Sequence, residues 1–366
     1  MPNSRLPGFS LLPRPSENRL MPLGHYAHCL LLAVLLGSAA GAADESARPA
    51  RLLAVSVTTG YRHKSIETAE PVLEALGRSS GLYHLDFLRM PPGDKEDPAW
   101  QEKLSAQFAK AFDPAVLADF DGVMFVSTTG ELPVPDLAGF LDWIKSGKAF
   151  VGFHAASDTL KKSDAFTEMV GGHFAGHPWT AGHEHGFVVH EPDHPLTMMF
   201  SPRFRLRDEI YQYDGRYVPE HVRVLVSLDM AASRPQEPWH VPVSWVRDYG
   251  EGRVFYTNFG HNDATWNDPA FQKHASEGIA WAIGQLDAPA EPNPEVQAAE
   301  YLRSVFAAAG AATDPDLGAL LKQAEVRITA DPDWAVKIRP TLLELRTMEP
   351  ADRATAYARM GAVIEE

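Results

Sequence analysis

The 366-residue chain has one cysteine, Cys29, at the start of a short apolar run that ends at Leu36. If this segment is removed from the mature protein, no thiol remains. That excludes disulfides, thiolate catalysis and cysteine metal sites. Any chemistry must therefore rest on other side chains, and the 15 histidines of the chain are the first candidates.

Positive charge and long apolar runs are also scarce. The formal net charge is −15 and no basic patch is visible, which argues against a nucleic-acid partner. The N-terminal apolar run is much shorter than the roughly 20 residues that a membrane-spanning helix needs. We therefore expect no membrane association after removal of the N-terminal segment, and the sequence does not predict the oligomeric state.

The first residues have the pattern of an export signal. Arg5, Arg14 and Arg19 precede the apolar run, and the stretch Ala40-Gly41-Ala42 after it fits the A-x-A pattern of signal peptidase sites. We predict that residues 1–43 are a signal peptide and that the protein is periplasmic or secreted. The mature chain then begins at Ala43 or Asp44. A disordered apolar extension is the alternative.

Short apolar runs alternate with helical patterns in the first half of the mature chain. The runs have the length of buried strands, and they occupy residues 51–58, 83–89, 120–127 and 149–153, with helices predicted at about 65–79 and 135–146. Strands that are apolar on both faces and alternate with helices indicate a parallel sheet covered by helices. We therefore predict an α/β fold with a mainly parallel, doubly wound sheet.

The second half is more mixed. A short helix at 165–172, strands at 186–189 and 222–228, a hairpin at 241–258 and a closing helix at 269–284 are predicted there. The proline-rich stretch 288–295 reads as a linker. Residues 296–366 are rich in alanine and leucine and predict a small α-helical appendage without a catalytic cluster. The predicted main domain therefore spans residues 50–287.

Histidines and threonines follow the ends of four predicted strands. His63 follows the first strand, Thr128 and Thr129 the third, His154 the fourth and His261 the last hairpin strand. In open α/β sheets, ligands bind beyond the carboxyl ends of the strands. We therefore expect these side chains to meet in one cleft, although each alone is more often a structural residue.

The segment Val151–Thr159 runs from a strand into a turn of small residues. This is the shape of the elbow that lifts a nucleophile over a sheet edge, and His154 stands at its tip. A histidine suits a proton carrier or a metal ligand. Asp158 is predicted to orient His154, with capping of the next helix by Ser157 and Asp158 as the alternative.

Two further segments supply polar candidates. Residues 171–179 contain His173 and His177, and their glycines favour a loop that folds over the strand edge. Trp179 at the end of this segment is predicted to stack on a sugar, or else to lie in the core. In an extended segment, Glu209 and Tyr211 would share one face, although a solvated charge pair is the simpler interpretation of the acidic residues there.

Six segments together resemble the ThuA-like family, which is named for a role in trehalose utilisation. The resemblance runs from about Arg51 to Leu286 and depends on residues 60–63, 153–159, 171–178, 194–197, 208–211 and 258–262. It implies a fold similar to class I glutamine amidotransferases, a flavodoxin-like arrangement in which an elbow cysteine and a late-strand histidine form the catalytic pair. Because His154 stands at the elbow here, amidotransferase activity is not expected.

The resemblance implies sugar metabolism, on glycosides whose ring has been oxidised to a ketone. We expect a hydrolase or lyase that acts on such 3-keto sugars or disaccharides, with no nucleotide cofactor and with a divalent metal ion as an option. A non-catalytic sugar-binding or scaffold protein, and hydrolysis by two carboxylates, are the alternatives. The expected residues are His154, Asp158, Glu209 and His261 for catalysis, Tyr61, Thr128, Thr129, Trp179 and Tyr211 for substrate binding, and His63, His154 and His177 for the metal.

Overall fold

A computed structural model describes residues 48–234, 236–309, 315–331, 334, 358, 361–362 and 364. The predicted signal peptide and its cleavage site lie outside the described residues, as do most positions beyond residue 331. No helix within the described ranges is both long enough and apolar enough to cross a lipid bilayer.

Eleven strands and nine α-helices lie in the described part of the chain. The strands are β1 (Ala50–Val55), β2 (Tyr83–Leu88), β3 (Gly122–Val126), β4 (Ala149–Phe153), β5 (Phe174–Trp179), β6 (Glu184–Val189), β7 (Arg203–Arg207), β8 (Ile210–Tyr213), β9 (Arg223–Leu228), β10 (Pro242–Tyr249) and β11 (Gly252–Thr257). The helices are α1 (Ile66–Ser80), α2 (Pro98–Ala111), α3 (Pro114–Leu117), α4 (Leu137–Lys145), α5 (Asp164–Val170), α6 (Asp263–Trp266), α7 (Pro269–Ala282), α8 (Pro294–Ala309) and α9 (Pro315–Ala330).

Nine of these strands form one sheet, in the order β2-β1-β3-β4-β11-β10-β9-β6-β7. The first five in this order run parallel to one another, and the remaining four are antiparallel to their neighbours. Strands β5 and β8 pair separately as a small antiparallel sheet. The α/β fold predicted from the sequence is confirmed; the sheet is mixed, and its antiparallel half extends the hairpin that was predicted at residues 241–258.

The central parallel strands are buried because helices cover both faces of the sheet, whereas the edge strand β2 is only partly buried. Every residue of β3 and β4 is buried. Along β1, Leu52 belongs to the core under α1 and α7, whereas the next residue, Leu53, belongs to the core under α2, α4 and α5. Alternate residues of a strand point to opposite faces, so both faces must be apolar. The apolar runs in the sequence reflect this requirement.

Two segments differ from the sequence predictions. Helix α2 was not predicted, although Asp97 caps its N-terminus by accepting a hydrogen bond from Ala99 N and Pro98 occupies its first turn. The segment predicted as a loop at residues 171–179 contains β5. Its pairing with β8 has register shifts on both sides of Gly176. The φ of Gly176 is 134°, a value that glycine adopts readily and other residues rarely do. These irregularities hide the period of two by which strands are recognised.

The proline-rich stretch before α8 packs against the sheet and is not a free linker. Asn293 is buried, and its side chain accepts a hydrogen bond from Val224 N and donates one to Val224 O, at 2.8 and 2.9 Å. Helix α8 begins at Pro294, inside the predicted linker. The Gln297 amide donates to the carbonyl of Pro219 at 3.0 Å. The start of the helical C-terminal region is therefore fixed to β9.

Buried histidines predict a loss of stability in acid. His274 on α7 is fully buried, its Nδ1 lies 2.6 Å from the Leu196 carbonyl oxygen, and burial lowers its pKa from 6.5 to about 4. Between these two values the unfolded chain binds more protons than the folded one. This contribution to stability is therefore complete above pH 6.5 and is lost as the pH falls towards 4.

We expect the free energy of unfolding to decrease by up to about 1.4 kcal/mol per pH unit from this one group. Urea unfolding at pH 7.5, 6 and 5 measures the effect, and His274→Gln should reduce the slope between pH 6.5 and 4. An identical slope in the variant would contradict this assignment.

Candidate functional site

Four neighbouring parallel strands open onto one edge of the sheet, and three of them deliver a histidine there. His63 follows β1, His154 directly follows β4, and His261 follows β11. The ring centroid of His63 lies 4.7 Å from that of His154 and 5.3 Å from that of His261, and the last two are 5.3 Å apart. The structure thus brings together the three histidines that the strand ends predicted.

Glu209 completes the group from the short connection between β7 and β8. Its Oε2 lies 3.8 Å from His154 Nε2 and 3.7 Å from His261 Nε2. One nitrogen or oxygen atom from each of His63, His154, Glu209 and His261 lies within 4.8 Å of the others. His261 is half-buried and the other three are buried. We call these four residues the central cluster.

His154 is held in a conformation that an ordinary side chain rarely adopts. Its φ is 46°, in the left-handed region, as the residue leaves β4 and enters a 3₁₀ turn, His154–Asp158. The Tyr256 hydroxyl donates to its carbonyl oxygen at 2.6 Å. The Asn258 carbonyl oxygen lies 2.8 Å from Nδ1, so Nδ1 carries the proton and Nε2 keeps its lone pair. The histidine at the tip of the elbow predicted from the sequence therefore has a defined tautomer.

Asn258, at the end of β11, couples this histidine to β8. Its Oδ1 accepts a hydrogen bond from Tyr211 N at 3.3 Å, and its Nδ2 donates to the Tyr213 hydroxyl at 2.7 Å. The Tyr211 hydroxyl in turn lies 3.2 Å from His63 Nε2. Asn258 therefore positions two sides of the central cluster. The sequence analysis did not predict this role, although Asn258 opens one of the segments singled out there.

Asp208 supports the loop that carries His261. Its carboxylate accepts hydrogen bonds from Gly260 N at 2.7 Å and from Asn262 N at 2.9 Å. Burial raises the pKa of Asp208 to about 6, against the opposing effect of these two donors. The Asn262 side-chain oxygen accepts from His261 Nδ1 at 3.2 Å. Asp208 directly precedes Glu209, so in an extended segment its side chain points to the face opposite that of Glu209. This alternation is the sequence feature that could have indicated a separate role for Asp208.

The electrostatics of the central cluster favour neutral imidazoles at His63 and His154. Burial lowers the pKa of His63 to about 4, with neighbouring histidines adding to the effect. Burial also lowers the pKa of His154 well below 6.5. Burial raises the pKa of Glu209, an effect that His261 and His177 oppose. Neutral imidazole nitrogens with free lone pairs are the state in which histidine binds a metal ion.

Two predicted residues lie at the mouth of the site. His177 on β5 has a half-exposed side chain, and its Nδ1 lies 3.2 Å from Glu209 Oε1. It contacts the central cluster from outside and is not one of the four residues whose atoms converge. Tyr61 is 70% exposed, and its ring centroid is 4.9 Å from that of His63. Tyr61 thus offers an open aromatic face beside the cluster.

The remaining predictions do not agree with the geometry. Trp179 is 1% exposed and its indole N–H donates to the Arg234 carbonyl, so no face is open for stacking on a sugar. Thr128 and Thr129 are fully buried and are bonded within the protein, to Thr159 and to the Tyr61 carbonyl. Their predicted contacts with substrate are incompatible with this burial.

Asp158 forms an ion pair with Lys161. The carbonyl of Asn258, and not this carboxylate, accepts the hydrogen bond of His154 Nδ1. The predicted orienting role of Asp158 is therefore filled by a backbone group, because the 3₁₀ turn carries the Asp158 side chain towards Lys161.

Fold and site together define an α/β protein with a histidine–glutamate centre at the carboxyl edge of the parallel half of a mixed sheet. The ThuA family profile, described as trehalose utilisation, matches residues 51–282, and the chain belongs to this family. The resemblance seen in the sequence is confirmed. A comparison with curated proteins finds no match.

The solved structures that are similar to this chain include two ThuA-like proteins. The first is a ThuA-like protein from Parabacteroides merdae ATCC 43184, with a TM-score of 0.50 and 19% identity, covering 66% of this chain and 93% of the other. The second is a ThuA-like protein from Bacteroides uniformis ATCC 8492, with a TM-score of 0.50 and 21% identity, covering 64% and 91%. At this identity, the two structures establish the shared fold alone.

Proposed function

We propose that the protein is an enzyme of carbohydrate catabolism whose active centre is a divalent metal ion held by the central cluster. The observation that carries this proposal is the convergence of three imidazoles and one carboxylate within 4.8 Å. In addition, the buried Nε2 of His154 has no hydrogen-bond partner among the described residues. A buried polar atom without a partner is costly, and a bound ion would satisfy it. Imidazole nitrogens with a carboxylate are ligands typical of zinc and related metals.

The groups around the central cluster support the same interpretation. Metal-binding histidines usually donate their second ring N–H to a carbonyl, carboxylate or other acceptor. His154 does so to the Asn258 carbonyl and His261 to the Asn262 side chain. The second nitrogen of His63 faces the Tyr211 hydroxyl. Each imidazole is therefore oriented by a contact of its second ring nitrogen before an ion binds.

The substrate we propose is a glycoside whose sugar ring carries a ketone. The family description supports a carbohydrate, and a bound ion would supply polarisation of the ketone oxygen, which acidifies the adjacent C–H. His177 Nδ1 lies 3.2 Å from Glu209 Oε1, and a proton held on Nδ1 by this contact would leave a lone pair on Nε2 at the mouth of the site. His177 would remove the proton from the carbon between the ketone and the glycosidic carbon.

Removal of this proton allows the glycosidic C–O bond to break as a carbon–carbon double bond forms. The protonated His177 then returns its proton to the leaving oxygen, which completes a lyase reaction; addition of water to the double bond would complete hydrolysis. Tyr61 would pack its exposed face against the sugar.

Turnover of 3-keto-glucosides by the purified protein, with and without a chelator, tests this proposal. We expect cleavage that is lost after chelation and restored by a divalent metal. Absence of turnover in every metal condition would contradict the proposal. Tight calorimetric binding of an unmodified sugar without any reaction would instead favour a sugar-binding protein.

We also propose that the protein is exported, on the pattern of its first 43 residues. Mass spectrometry of the protein from the periplasm or medium should find a mature N-terminus at Ala43 or Asp44. Retention of residues 1–40 would contradict this proposal.

Replacing Asp208 by asparagine should weaken the site without removing a ligand. Gly260 N and Asn262 N bond different oxygens of the carboxylate, and asparagine replaces one of these oxygens by an NH₂ donor, so the loop of His261 loses one hydrogen bond. We expect metal affinity to fall by about tenfold or more, the usual scale for groups that orient a ligand. Competition with a chromogenic chelator measures this change. Unchanged affinity would show that Asp208 does not position His261.

A further inference from the structure

A second polar group lies beside the central cluster, between the 3₁₀ turn after β4 and the small β5–β8 sheet. It consists of Asp158, Lys161, His173, Asp214 and Arg216, which we call the rim cluster. Asp158 pairs with Lys161, His173 Nδ1 lies 3.1 Å from Asp214 Oδ2, and Arg216 pairs with Asp214 at 2.9 Å. Arg216 Nη1 also donates to the Lys161 carbonyl oxygen at 3.1 Å, so the two halves of the rim cluster adjoin each other.

The rim cluster contains a buried polar atom that no protein group satisfies. The side chain of His173 is 9% exposed, and in the described part of the chain its Nε2 has no hydrogen-bond partner. Nδ1 of the same ring faces Asp214, and Asp158 and Lys161 are among the charged neighbours of the imidazole whose Nε2 atom lacks a partner among the residues that the structure describes. Such an atom is costly unless a ligand or water reaches it.

The rim cluster is continuous with the central cluster through one aromatic side chain. The ring centroid of Phe174 lies 4.3 Å from that of Tyr211, whose hydroxyl faces His63. The Phe174 ring centroid also lies 5.2 Å from Lys161 Nζ. The exposed fractions of Lys161, at 44%, and Asp214, at 33%, show that this region opens to solvent.

The chemistry of the rim cluster matches the hydroxyls of a sugar. A carboxylate, an ammonium group and an imidazole offer acceptors and donors within one small region, and a sugar hydroxyl both donates and accepts. Sites for small molecules combine a few such groups with an apolar wall, which Phe174 supplies here. An anion would face Asp158 and Asp214, and a cation would face Lys161 and Arg216, so a neutral polyhydroxyl ligand fits better than either.

We propose that the rim cluster is a second sugar subsite, which binds the leaving sugar of a disaccharide while the central cluster acts on the oxidised ring. This proposal rests on the proposed function and narrows its substrate class from glycosides in general to disaccharides. Asp158, predicted from the sequence to orient the catalytic histidine, would thus contact the leaving sugar.

Steady-state kinetics with two substrates test the subsite. The variants are Lys161→Ala and His173→Gln, with Lys162→Ala as the matched control because this neighbouring lysine is also exposed. The substrates are 3-keto-trehalose and methyl 3-keto-glucoside, which lacks a second sugar. Loss of one hydrogen bond should raise the KM for the disaccharide by about tenfold. The KM for the methyl glycoside and both values for the control should stay unchanged.

An equal increase of KM for both substrates, or no increase for either, would overturn the subsite. Lys161→Ala removes an exposed side chain and keeps the test valid if His173→Gln fails to fold. If the wild type turns over neither substrate, the proposed function has failed, and calorimetry with trehalose and glucose tests the subsite alone. Tighter binding of trehalose that is lost in Lys161→Ala supports it. Equal binding of the two sugars, or no effect of the variant, overturns it.

Discussion

Replacing His154 by alanine should lower kcat/KM for a 3-keto-glycoside by about 10²-fold or more, the usual scale for the loss of a group that acts in the reaction. The Nε2 atom of His154 faces Glu209 within the central cluster, and alanine has no group that could take its place. Metal content should fall together with activity, because a ligand is lost.

Ser157→Ala is the matched control for this variant. Ser157 lies in the same 3₁₀ turn, but its hydroxyl contacts the Tyr256 hydroxyl at 2.9 Å and not the central cluster. Its activity should stay close to that of the wild type. A His154→Ala protein with lower melting temperature and unchanged specific activity would identify His154 as a structural residue. Activity lost with metal retained would identify an acid–base role.

Glu209→Gln should have an effect of similar size, about 10²-fold or more in kcat/KM. Glu209 is the only carboxylate among the four converging residues. The substitution keeps the shape of the side chain and removes its charge, so a divalent cation loses its one anionic ligand. His177 also loses the contact of its Nδ1 with a charged carboxylate. The measurements are kcat/KM and the metal bound per chain.

Glu184→Gln provides the control for this second variant. Glu184 pairs with Arg205 on the surface, where such pairs contribute little to stability, so its activity should not change. Activity of Glu209→Gln within a few fold of the wild type, with metal bound normally, would contradict the role of Glu209.

Sequence patterns predict the parallel half of the fold better than the rest. The runs that became β1, β3 and β4 are apolar on both faces, so each can be recognised locally. By contrast, β7 alternates between exposed and half-buried residues, and three arginines obscure its apolar face. Strand β5 contains glycine and proline and pairs with β8, which lies about thirty residues further along the chain. Pairing at such a distance leaves little signal in the local sequence.

The same contrast applies to the site. His63, His154 and His261 follow strands that are neighbours in a parallel sheet, so topology alone brings them together. The directions of Trp179 and His177 depend on the irregular register between β5 and β8. The roles of Asn258 and Asp208 depend on hydrogen bonds to backbone groups far along the chain. Neither kind of information is contained in residue type and spacing.

The metal content of the purified protein tests the central claim most directly. Inductively coupled plasma mass spectrometry should find about one equivalent of a divalent metal in the wild type and much less in His154→Ala and Glu209→Gln. The Ser157→Ala and Glu184→Gln controls should retain the wild-type content. A metal-free wild type that takes up no added metal, and whose turnover of a 3-keto-glycoside persists in excess chelator, would contradict the claim.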